Sequence, residues 1–417
     1  MNKDFTKGLV AGFILSLFTI YSFFRIYWIM EIGVKYFRWH AVLWLYLSVA
    51  LIFFGISYWL YKREKLKSPS AQKYFLLVSG LIIGIYTAEI LLRLLHIGTT
   101  YSEQREGVFV NPAERVQKSW YMLYSPCSST ELKTQEYSFL RSSNSEGFSD
   151  KDWTVEKDSN EIKIITLGDS FTDGDGCPQD SSYPRVLEGL LQSQFPEFKI
   201  TVMNAARCGS DPWFEFKKLH DLLLKYKPDI VVYTNGSNDM FFDHLMYGGM
   251  ERFSADSTVK NKIPHHGWLG LYEVNYVFRL MMNFSGYDET LFGVEDRERN
   301  KLTAIADSRE LSRQFSQLAV ANNFTCVQLI RPERPEIRAG EYPFSLNDLM
   351  NGSDTLPSYS TFDLLAYYQE SRLINKSNVD DYFWPSDGHH NTKGYRAMAQ
   401  GVAHCVKEII EKKKPQN

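Results

Sequence analysis

The sequence has no excess of basic residues, and its five cysteines are few and odd in number. Lysine and arginine total 46 against 49 aspartates and glutamates, for a net charge of −3. Such a balance provides no basic field for nucleic acid, so a DNA or RNA partner is not expected. The odd cysteine count leaves at least one thiol outside any intramolecular disulfide. Internal repeats and low-complexity tracts are also missing, which excludes solenoid and fibrous architectures.

Long apolar runs, by contrast, are present and confined to the first hundred residues. Three candidate membrane spans cover residues 8–28, 41–61 and 74–95, because a helix needs about 20 apolar residues to cross a bilayer. The third span carries Glu89 and Arg93 at i and i+4, where they are expected to pair with each other. We therefore predict a three-helix transmembrane region within residues 1–97.

The charges of the loops between these spans predict the orientation. Lysine and arginine are concentrated in Tyr61–Lys73 and are sparse in Met30–His40. Since such residues mark the cytoplasmic side, three crossings place everything after His96 outside the cytoplasm. With only two spans the large domain would be inside, so this location depends on the third helix. The prediction is a multi-pass protein of the cytoplasmic or inner membrane with a periplasmic or extracellular catalytic domain.

The remainder of the chain divides into a connector, residues 98–160, and a domain that covers residues 161–413. In that domain, short β-branched runs alternate with segments of helical spacing. Predicted strands cover Ile162–Leu167, Phe198–Met203, Asp229–Thr234 and Phe324–Ile330. Predicted helices cover Tyr183–Gln194, Pro212–Tyr226, Lys301–Asn322 and Thr392–Lys412. This alternation predicts an α/β fold with a parallel sheet covered by helices on both faces, and a ligand site at the carboxyl ends of its strands.

Four polar motifs follow a predicted strand or precede a predicted helix. The first, Gly168–Gly176 (GDSFTDGDG), places Ser170 at a strand-to-helix turn, near the free N–H groups of the coming helix. The second and third, Asn204–Gly209 and Gly236–Asp239, end the next two strands. An Asn side chain and a Gly N–H there could complete an oxyanion hole. The fourth, Asp387–Asn391, supplies a carboxylate and an imidazole, which a serine nucleophile needs as orienting group and base.

In this order and spacing, the motifs resemble the four sequence blocks of the SGNH/GDSL hydrolase superfamily. The resemblance implies a flavodoxin-like three-layer domain, Ser170 as nucleophile, and an oxyanion hole formed by the N–H groups of Ser170 and Gly209 and the Asn238 amide. Supporting residues in the same blocks are Asp169, Asn204, Gly236 and Asp239.

The base is one of two adjacent histidines. The commonest family pattern, D-x-x-H, selects His390, whereas the run H-x-N-x-x-G begins at His389 and favours that residue. The shorter form, with Asp387 and His389, looks like that of membrane-anchored polysaccharide acetyltransferases. No further Cys or Asp spacing extends the histidine pair to a zinc site, so neither metal nor organic cofactor is expected.

Three other features leave alternatives open. Cys177 and Cys208 lie near two of the motifs and could be joined by a disulfide. Arg331 and Arg334 follow the fourth strand and are expected to be solvated, with contact to an anionic substrate as the alternative. The insert at residues 240–300 is rich in aromatics and is either a lid or sugar-stacking platform or a structural subdomain.

The predicted activity is ester hydrolysis or O-acyl transfer through an acyl-serine. The predicted substrate is an acyl ester of cell-envelope carbohydrate, and a membrane-bound O-acyltransferase is a possible partner. A lipid or general carboxylesterase is the second hypothesis. The third, from another class, is a non-catalytic envelope-assembly protein that retains the fold, against which the complete set of motifs argues.

Overall fold

The structure is a computed structural model that describes most of the chain after residue 67. The described residues are 68–95, 116–118, 121–134, 136–237, 239–255, 275–286, 292–350 and 355–413, with single residues 55, 58, 97, 259, 268, 272 and 353. They divide into two compact units. The first lies within Met1–Tyr101 and Pro264–Phe292, and the second within Ser102–Ile263 and Gly293–Asn417.

The first unit contains two described helices, α1 (Pro69–Leu94) and α6 (Tyr276–Phe284), which pack against each other. Glu89 of α1 is fully buried, and its carboxylate accepts the N–H groups of Tyr276 (3.1 Å) and Val277 (3.0 Å). A carboxylate is stabilising there, because the first N–H groups of a helix have no partner within it. The predicted i, i+4 pair also forms: Arg93 donates to Glu89 at 2.8 Å and lies over the Tyr276 ring.

The prediction of a third membrane span at Tyr74–Leu95 is not supported. In the described part of the chain, no helix is both long and apolar enough to cross a bilayer. Within α1, Glu89 and Arg93 bond each other, and Glu89 also accepts N–H groups of α6. The predicted spans at residues 8–28 and 41–61 lie outside the described residues.

The second unit is built on a parallel sheet of five strands. These are β5 (Glu161–Leu167), β6 (Lys199–Asn204), β7 (Ile230–Gly236), β8 (Thr325–Arg331) and β9 (Tyr359–Asp363), in the spatial order β6-β5-β7-β8-β9. The first strand is flanked by the second and third, which is the flavodoxin-like order. The predicted α/β fold with a parallel sheet is therefore confirmed.

Helices cover both faces of this sheet, and their bounds are as follows. They are α2 (Ser170–Asp173), α3 (Tyr183–Gln194), α4 (Pro212–Lys218), α5 (His244–Tyr247), α7 (Val294–Asn322), α8 (Arg334–Ala339), α9 (Leu346–Met350), α10 (Leu364–Ser371) and α11 (Thr392–Glu411). Single turns occupy Gln179–Ser181, Leu219–Leu223, Leu224–Tyr226, Asp239–Asp243, Met250–Arg252 and Val379–Tyr382.

Alternate side chains of each strand enter separate cores on the two faces. Ile162 and Ile164 of β5 pack with α3, α10 and α11, whereas Ile165 and Leu167 pack with α4 and α7. Because both faces are covered, all seven residues of β5 are buried, and neither face of the strand is exposed to solvent. The predicted elements recur with end shifts. The helix predicted from Lys301 begins at Val294, and β9 was not predicted.

The connector contains two hairpins that the sequence did not reveal. Strand β1 (Val116–Lys118) pairs antiparallel with β2 (Tyr121–Leu123), and β3 (Ser129–Lys133) pairs antiparallel with β4 (Ser138–Ser142). They belong to the same compact unit as the sheet. The short β3–β4 hairpin has few buried side chains of its own.

Candidate active site

Ser170 lies at a sharp turn between β5 and α2. Gly168 has φ +155, and a Cβ there would lie 2.3 Å from Thr172 Oγ1, so only glycine fits. Asp169 then caps the short helix, its carboxylate accepting the Phe171 N–H at 2.9 Å. The turn leaves Ser170 as the first helical residue at the carboxyl end of β5, 9% exposed.

Ser170, His389 and Asp387 form a continuous hydrogen-bonded chain. The His389 Nε2 lies 2.7 Å from the Ser170 Oγ, and the Nδ1 lies 2.5 Å from the Asp387 Oδ1. An ionised carboxylate can only accept, so Nδ1 carries the proton and Nε2 accepts from the serine hydroxyl. The His389 and Asp387 side chains are 7% and 8% exposed. The site is therefore largely shielded, which strengthens the electrostatic coupling along the chain.

The neighbouring histidine, His390, faces away from Ser170 into the core. Its Nδ1 donates to the Tyr382 carbonyl oxygen at 3.1 Å, and its ring packs on Phe383 at a centroid distance of 4.2 Å. Among the described residues its Nε2 has no hydrogen-bond partner. Burial disfavours the charged imidazolium and lowers the pKa of His390 to about 3. Of the two histidines, His389 is the one that the structure brings to Ser170.

Asn391 and Gly394, from the H-x-N-x-x-G run, fix the conformation of the loop that carries the two histidines. Asn391 caps α11, its side-chain oxygen accepting the N–H groups of Lys393 (2.9 Å) and Gly394 (3.2 Å). A Cβ on Gly394 would lie 2.3 Å from the Tyr382 carbonyl oxygen and 2.4 Å from the His390 Nδ1. The H-x-N-x-x-G spacing therefore combines a helix cap with a close approach of backbone to the buried histidine.

Gly209 lies in a turn after β6 that is tied to the nucleophile helix. The Cys208 N–H donates to Asp173 Oδ2 at 3.0 Å, and the Arg207 N–H donates to the Gly168 carbonyl oxygen at 3.0 Å. Gly209 itself has φ +74, a left-handed conformation that side chains disfavour. In the described ranges, no acceptor is found for the N–H of Gly209 or of Ser170. Both N–H groups can therefore donate to a bound oxyanion.

The structure describes only some of the other residues that were predicted to support the site. Asn204 is buried, and its side chain bridges the Asp173 carbonyl oxygen (3.4 Å) and the Ala206 N–H (3.3 Å), so it supports the turn before Gly209. Gly236 ends β7, opposite Arg331 of β8. Asp239 begins the turn Asp239–Asp243, and its side chain is not described. The predicted oxyanion-hole residue Asn238 lies outside the described residues.

The expectation that Arg331 is solvated is wrong. Its side chain is buried, lies 3.7 Å from the Phe171 ring centroid, and donates to Asp169 Oδ2 at 3.2 Å. Arg331 therefore contacts the residues on either side of Ser170 and supports the turn between β5 and α2. Arg334 is partly exposed, pairs with Asp380, and donates to the carbonyl oxygens of Trp384 (3.3 Å) and Pro385 (3.2 Å). It braces the loop that leads to Asp387.

Cys177 and Cys208, the pair considered for a disulfide, are not joined by one. Cys177 is buried, and its Sγ lies 3.4 Å from the Gly174 carbonyl oxygen. Burial raises the pKa of the Cys177 thiol. No group of three or more metal-ligating side chains is found in the part of the chain that the structure describes.

Sequence reasoning missed a buried charge cluster that joins the connector to the first motif. The Tyr124 hydroxyl donates to Asp173 Oδ2 at 2.6 Å, and Arg141 donates to Tyr124 at 2.7 Å and pairs with Asp175. It also missed Glu136 and Tyr137, which contact the loop of Asp387. No local pattern marks these residues, because their partners lie far away along the chain.

No family model matches the chain. A stretch of 107 residues is 28% identical to an acetylxylan esterase of Xylanibacter ruminicola, covering 25% of this chain and 22% of that protein. A stretch of 85 residues is 33% identical to an uncharacterized protein of Mycoplasma pneumoniae, covering 20% of this chain and 10% of that protein. The chain thus spans less than a quarter of either curated relative.

Solved structures with some likeness to this chain include several carbohydrate esterases. A two-domain esterase active on acetylated mannans, co-crystallised with mannopentaose, has 11% identity and a TM-score of 0.35, with 61% of this chain and 51% of that chain covered. An acetylxylan esterase from Geobacillus stearothermophilus has 14% identity and a TM-score of 0.34, with 60% and 94% covered. A Clostridium thermocellum family 3 carbohydrate esterase has 14% identity and a TM-score of 0.33, with 60% and 98% covered.

Proposed function

We propose that this protein is a serine ester hydrolase of the SGNH type that removes acyl groups, acetyl foremost, from carbohydrate. The observation that carries the proposal is the hydrogen-bonded chain Ser170–His389–Asp387 at the carboxyl end of β5. Such a chain is the minimum that a serine needs to act as a nucleophile near neutral pH.

In the first step, His389 takes the hydroxyl proton of Ser170 through Nε2 while the oxygen attacks the ester carbonyl. Asp387 holds the imidazole in the tautomer with Nδ1 protonated and stabilises the imidazolium that forms. The carbonyl oxygen becomes an oxyanion, for which the N–H groups of Ser170 and Gly209 are the donors we assign. Asn238 stays a predicted third donor.

The alcohol then leaves with the proton from His389, and an acyl-serine remains. Water, activated by the same imidazole, resolves this intermediate and releases the acid. A sugar hydroxyl in place of water would transfer the acyl group instead, so the same residues serve esterase and transferase alike. The acetylxylan esterase relative supports acetylated carbohydrate as the substrate class.

Covalent labelling tests the nucleophile directly. A fluorophosphonate probe should label the folded protein at Ser170, and Ser170→Ala should abolish the label. His389→Ala should lower kcat for p-nitrophenyl acetate by about a thousandfold or more. His220→Ala is the matched control, because His220 is exposed and contacts its neighbour Asp221 and the ring of Phe216, away from Ser170. Labelling that persists in Ser170→Ala, or full activity of His389→Ala, contradicts the proposal.

A second set of assays tests which ester is the substrate and whether water or a sugar hydroxyl accepts the acyl group. The purified protein is incubated with acetylated xylan and, separately, with p-nitrophenyl esters of two to twelve carbons. Acetate release from xylan that depends on Ser170 supports the carbohydrate assignment. Turnover confined to long-chain esters would favour a lipid esterase. Mass spectrometry of an added oligosaccharide, incubated with an acetyl donor, detects transfer as a gain of acetyl groups.

We also propose, from the charges of the loops between the predicted spans, that the catalytic unit lies on the extracytoplasmic side of a membrane. From the resemblance to membrane-anchored polysaccharide acetyltransferases, we propose a membrane-bound O-acyltransferase as its partner. Cys127 offers a test, since it is exposed and free. A membrane-impermeant maleimide should label Cys127 in intact cells, and Cys127→Ser should lower the label. Labelling only after lysis would place the unit inside.

A further inference from the structure

The hairpin formed by β3 and β4 reaches the acidic member of the proposed triad. Its turn is held locally: Thr134 Oγ1 accepts the N–H groups of Glu136 and Tyr137, both at 3.1 Å, and the Thr134 N–H donates to the Tyr137 carbonyl oxygen at 2.8 Å. A turn fixed by three hydrogen bonds can present its side chains in one arrangement. Two of those side chains, Glu136 and Tyr137, contact the Asp387 loop.

Tyr137 holds the carboxylate oxygen of Asp387 that His389 does not use. The Tyr137 hydroxyl donates to Asp387 Oδ2 at 2.9 Å, while Oδ1 accepts from the His389 Nδ1. The two bonds together fix the plane of the carboxylate, and its plane determines the direction in which the imidazole is held. The tyrosine ring itself stacks on Phe139 at a centroid distance of 5.3 Å and contacts Trp384 in a tilted arrangement at 5.4 Å.

Glu136 holds the backbone of the same loop. Its two carboxylate oxygens accept the N–H groups of Ser386 at 2.9 Å and of Asp387 at 2.7 Å. Charge-assisted bonds of this kind are stronger than neutral ones. Glu136 and Tyr137 therefore act on Asp387 from two directions, one through the backbone and one through the side chain.

The base of the hairpin is tied to the nucleophile motif. Arg141 of β4 pairs with Asp175. Trp384, whose ring contacts Tyr137, donates through Nε1 to the Gly176 carbonyl oxygen at 2.7 Å. The hairpin thus contacts both of the sequence-distant segments that must meet for the serine to be activated. If the hairpin served only to pack against the domain, polar bonds would not be needed at both its turn and its base.

We propose that Tyr137 and Glu136 are positioning residues that hold the Asp387 carboxylate in the orientation in which it binds the His389 Nδ1. The connector would then be part of the catalytic apparatus. This inference rests on the proposed function, since it assigns a role within the same triad. Catalysis of this type is sensitive to small displacements of the orienting group.

The test is Tyr137→Phe in the full-length protein, with Ser138→Ala in the same hairpin as the control, because Ser138 bonds only the exposed Glu131. A hydrogen bond to a charged group implies a fall in kcat of roughly tenfold or more, with KM for p-nitrophenyl acetate unchanged. Asp387 without its tyrosine donor is a better acceptor for the imidazolium. The acidic limb of kcat/KM against pH should therefore move to higher pH.

Glu136→Gln, with Glu131→Gln as its control, supplies a second measurement, and it carries the test if Tyr137→Phe does not fold. A glutamine has one oxygen for two N–H donors, so kcat should again fall while KM holds. The inference is overturned if Tyr137→Phe and Glu136→Gln match their controls in kcat and pH profile. It is also overturned if they lose activity only in proportion to unfolded protein. Either result leaves the proposed function intact as long as Ser170→Ala abolishes the label.

Discussion

The two adjacent histidines should respond differently to acid, and His390 gives the sharper prediction. In the folded protein its pKa is lowered to about 3, because the ring is fully buried, against 6.5 in the unfolded chain. Between these values the unfolded state binds a proton that the folded state does not. Stability from this residue is therefore complete above pH 6.5 and is lost as pH falls toward 3.

The magnitude follows from one proton. Each pH unit in this window costs about 1.4 kcal/mol, so acidification from pH 6.5 to 4.5 costs about 2.8 kcal/mol through His390 alone. His390→Asn removes the titrating ring but keeps a side-chain N–H for the Tyr382 carbonyl oxygen. At pH 7 the variant should be less stable by roughly 1–3 kcal/mol, from lost packing against Phe383 and Tyr395.

Urea unfolding of both proteins at pH 7, 6, 5 and 4.5 measures the effect. The other titrating groups are shared, so the difference between wild type and His390→Asn isolates this residue. That difference should narrow by about 1.4 kcal/mol per pH unit below pH 6.5 and can change sign. A difference that stays constant with pH would show that His390 takes up a proton in the folded protein, and the assignment of a buried neutral histidine would be refuted.

Three further predictions concern residues around the site and the first unit. Gly394→Ala should destabilise by about 3 kcal/mol in urea unfolding, because its Cβ would overlap Tyr382 and His390, whereas Gly189→Ala, in open space on α3, should be neutral or slightly stabilising. Asp173→Asn should lower the unfolding free energy by about 3 kcal/mol and reduce activity, since it removes from the buried cluster the charge of the carboxylate that accepts the Tyr124 hydroxyl and lies 3.6 Å from Arg141, and Asp158→Asn, at an exposed position, serves as control. Glu89→Gln should accelerate amide hydrogen exchange at Tyr276 and Val277, which Glu298→Gln should leave unchanged; equal exchange in both variants would argue against the cap.

Much of the fold followed from local pattern. The β-branched run before Gly168 is buried on both sides and is mostly apolar, with Lys163 and Thr166 as its polar residues, so it was predicted as a strand. Helix α3 has the bounds predicted for it, Tyr183–Gln194. Strand β9 and the β3–β4 hairpin were missed because their side chains are half exposed and mixed in polarity, so they show neither strand nor helix periodicity.

The predicted third membrane span, for which the described residues give no support, shows the limit of a local pattern. Hydropathy along Tyr74–Leu95 is a one-dimensional property and cannot show that Glu89 is a cap for a helix almost two hundred residues later. The same limit applies to Arg331: its position after a strand suggested solvent, whereas an aromatic ring and a carboxylate from the first motif enclose it.

By itself, the sequence determined the order of strands and helices, the serine at a strand-to-helix turn, and a carboxylate two residues before a histidine. These are local properties, set by periodicity, glycine and capping side chains. Only the tertiary structure decided which histidine faces Ser170, since His389 and His390 are neighbours whose side chains enter different surroundings. It also decided that a hairpin from the connector reaches Asp387, because a contact across 250 positions arises from packing and leaves no trace in spacing.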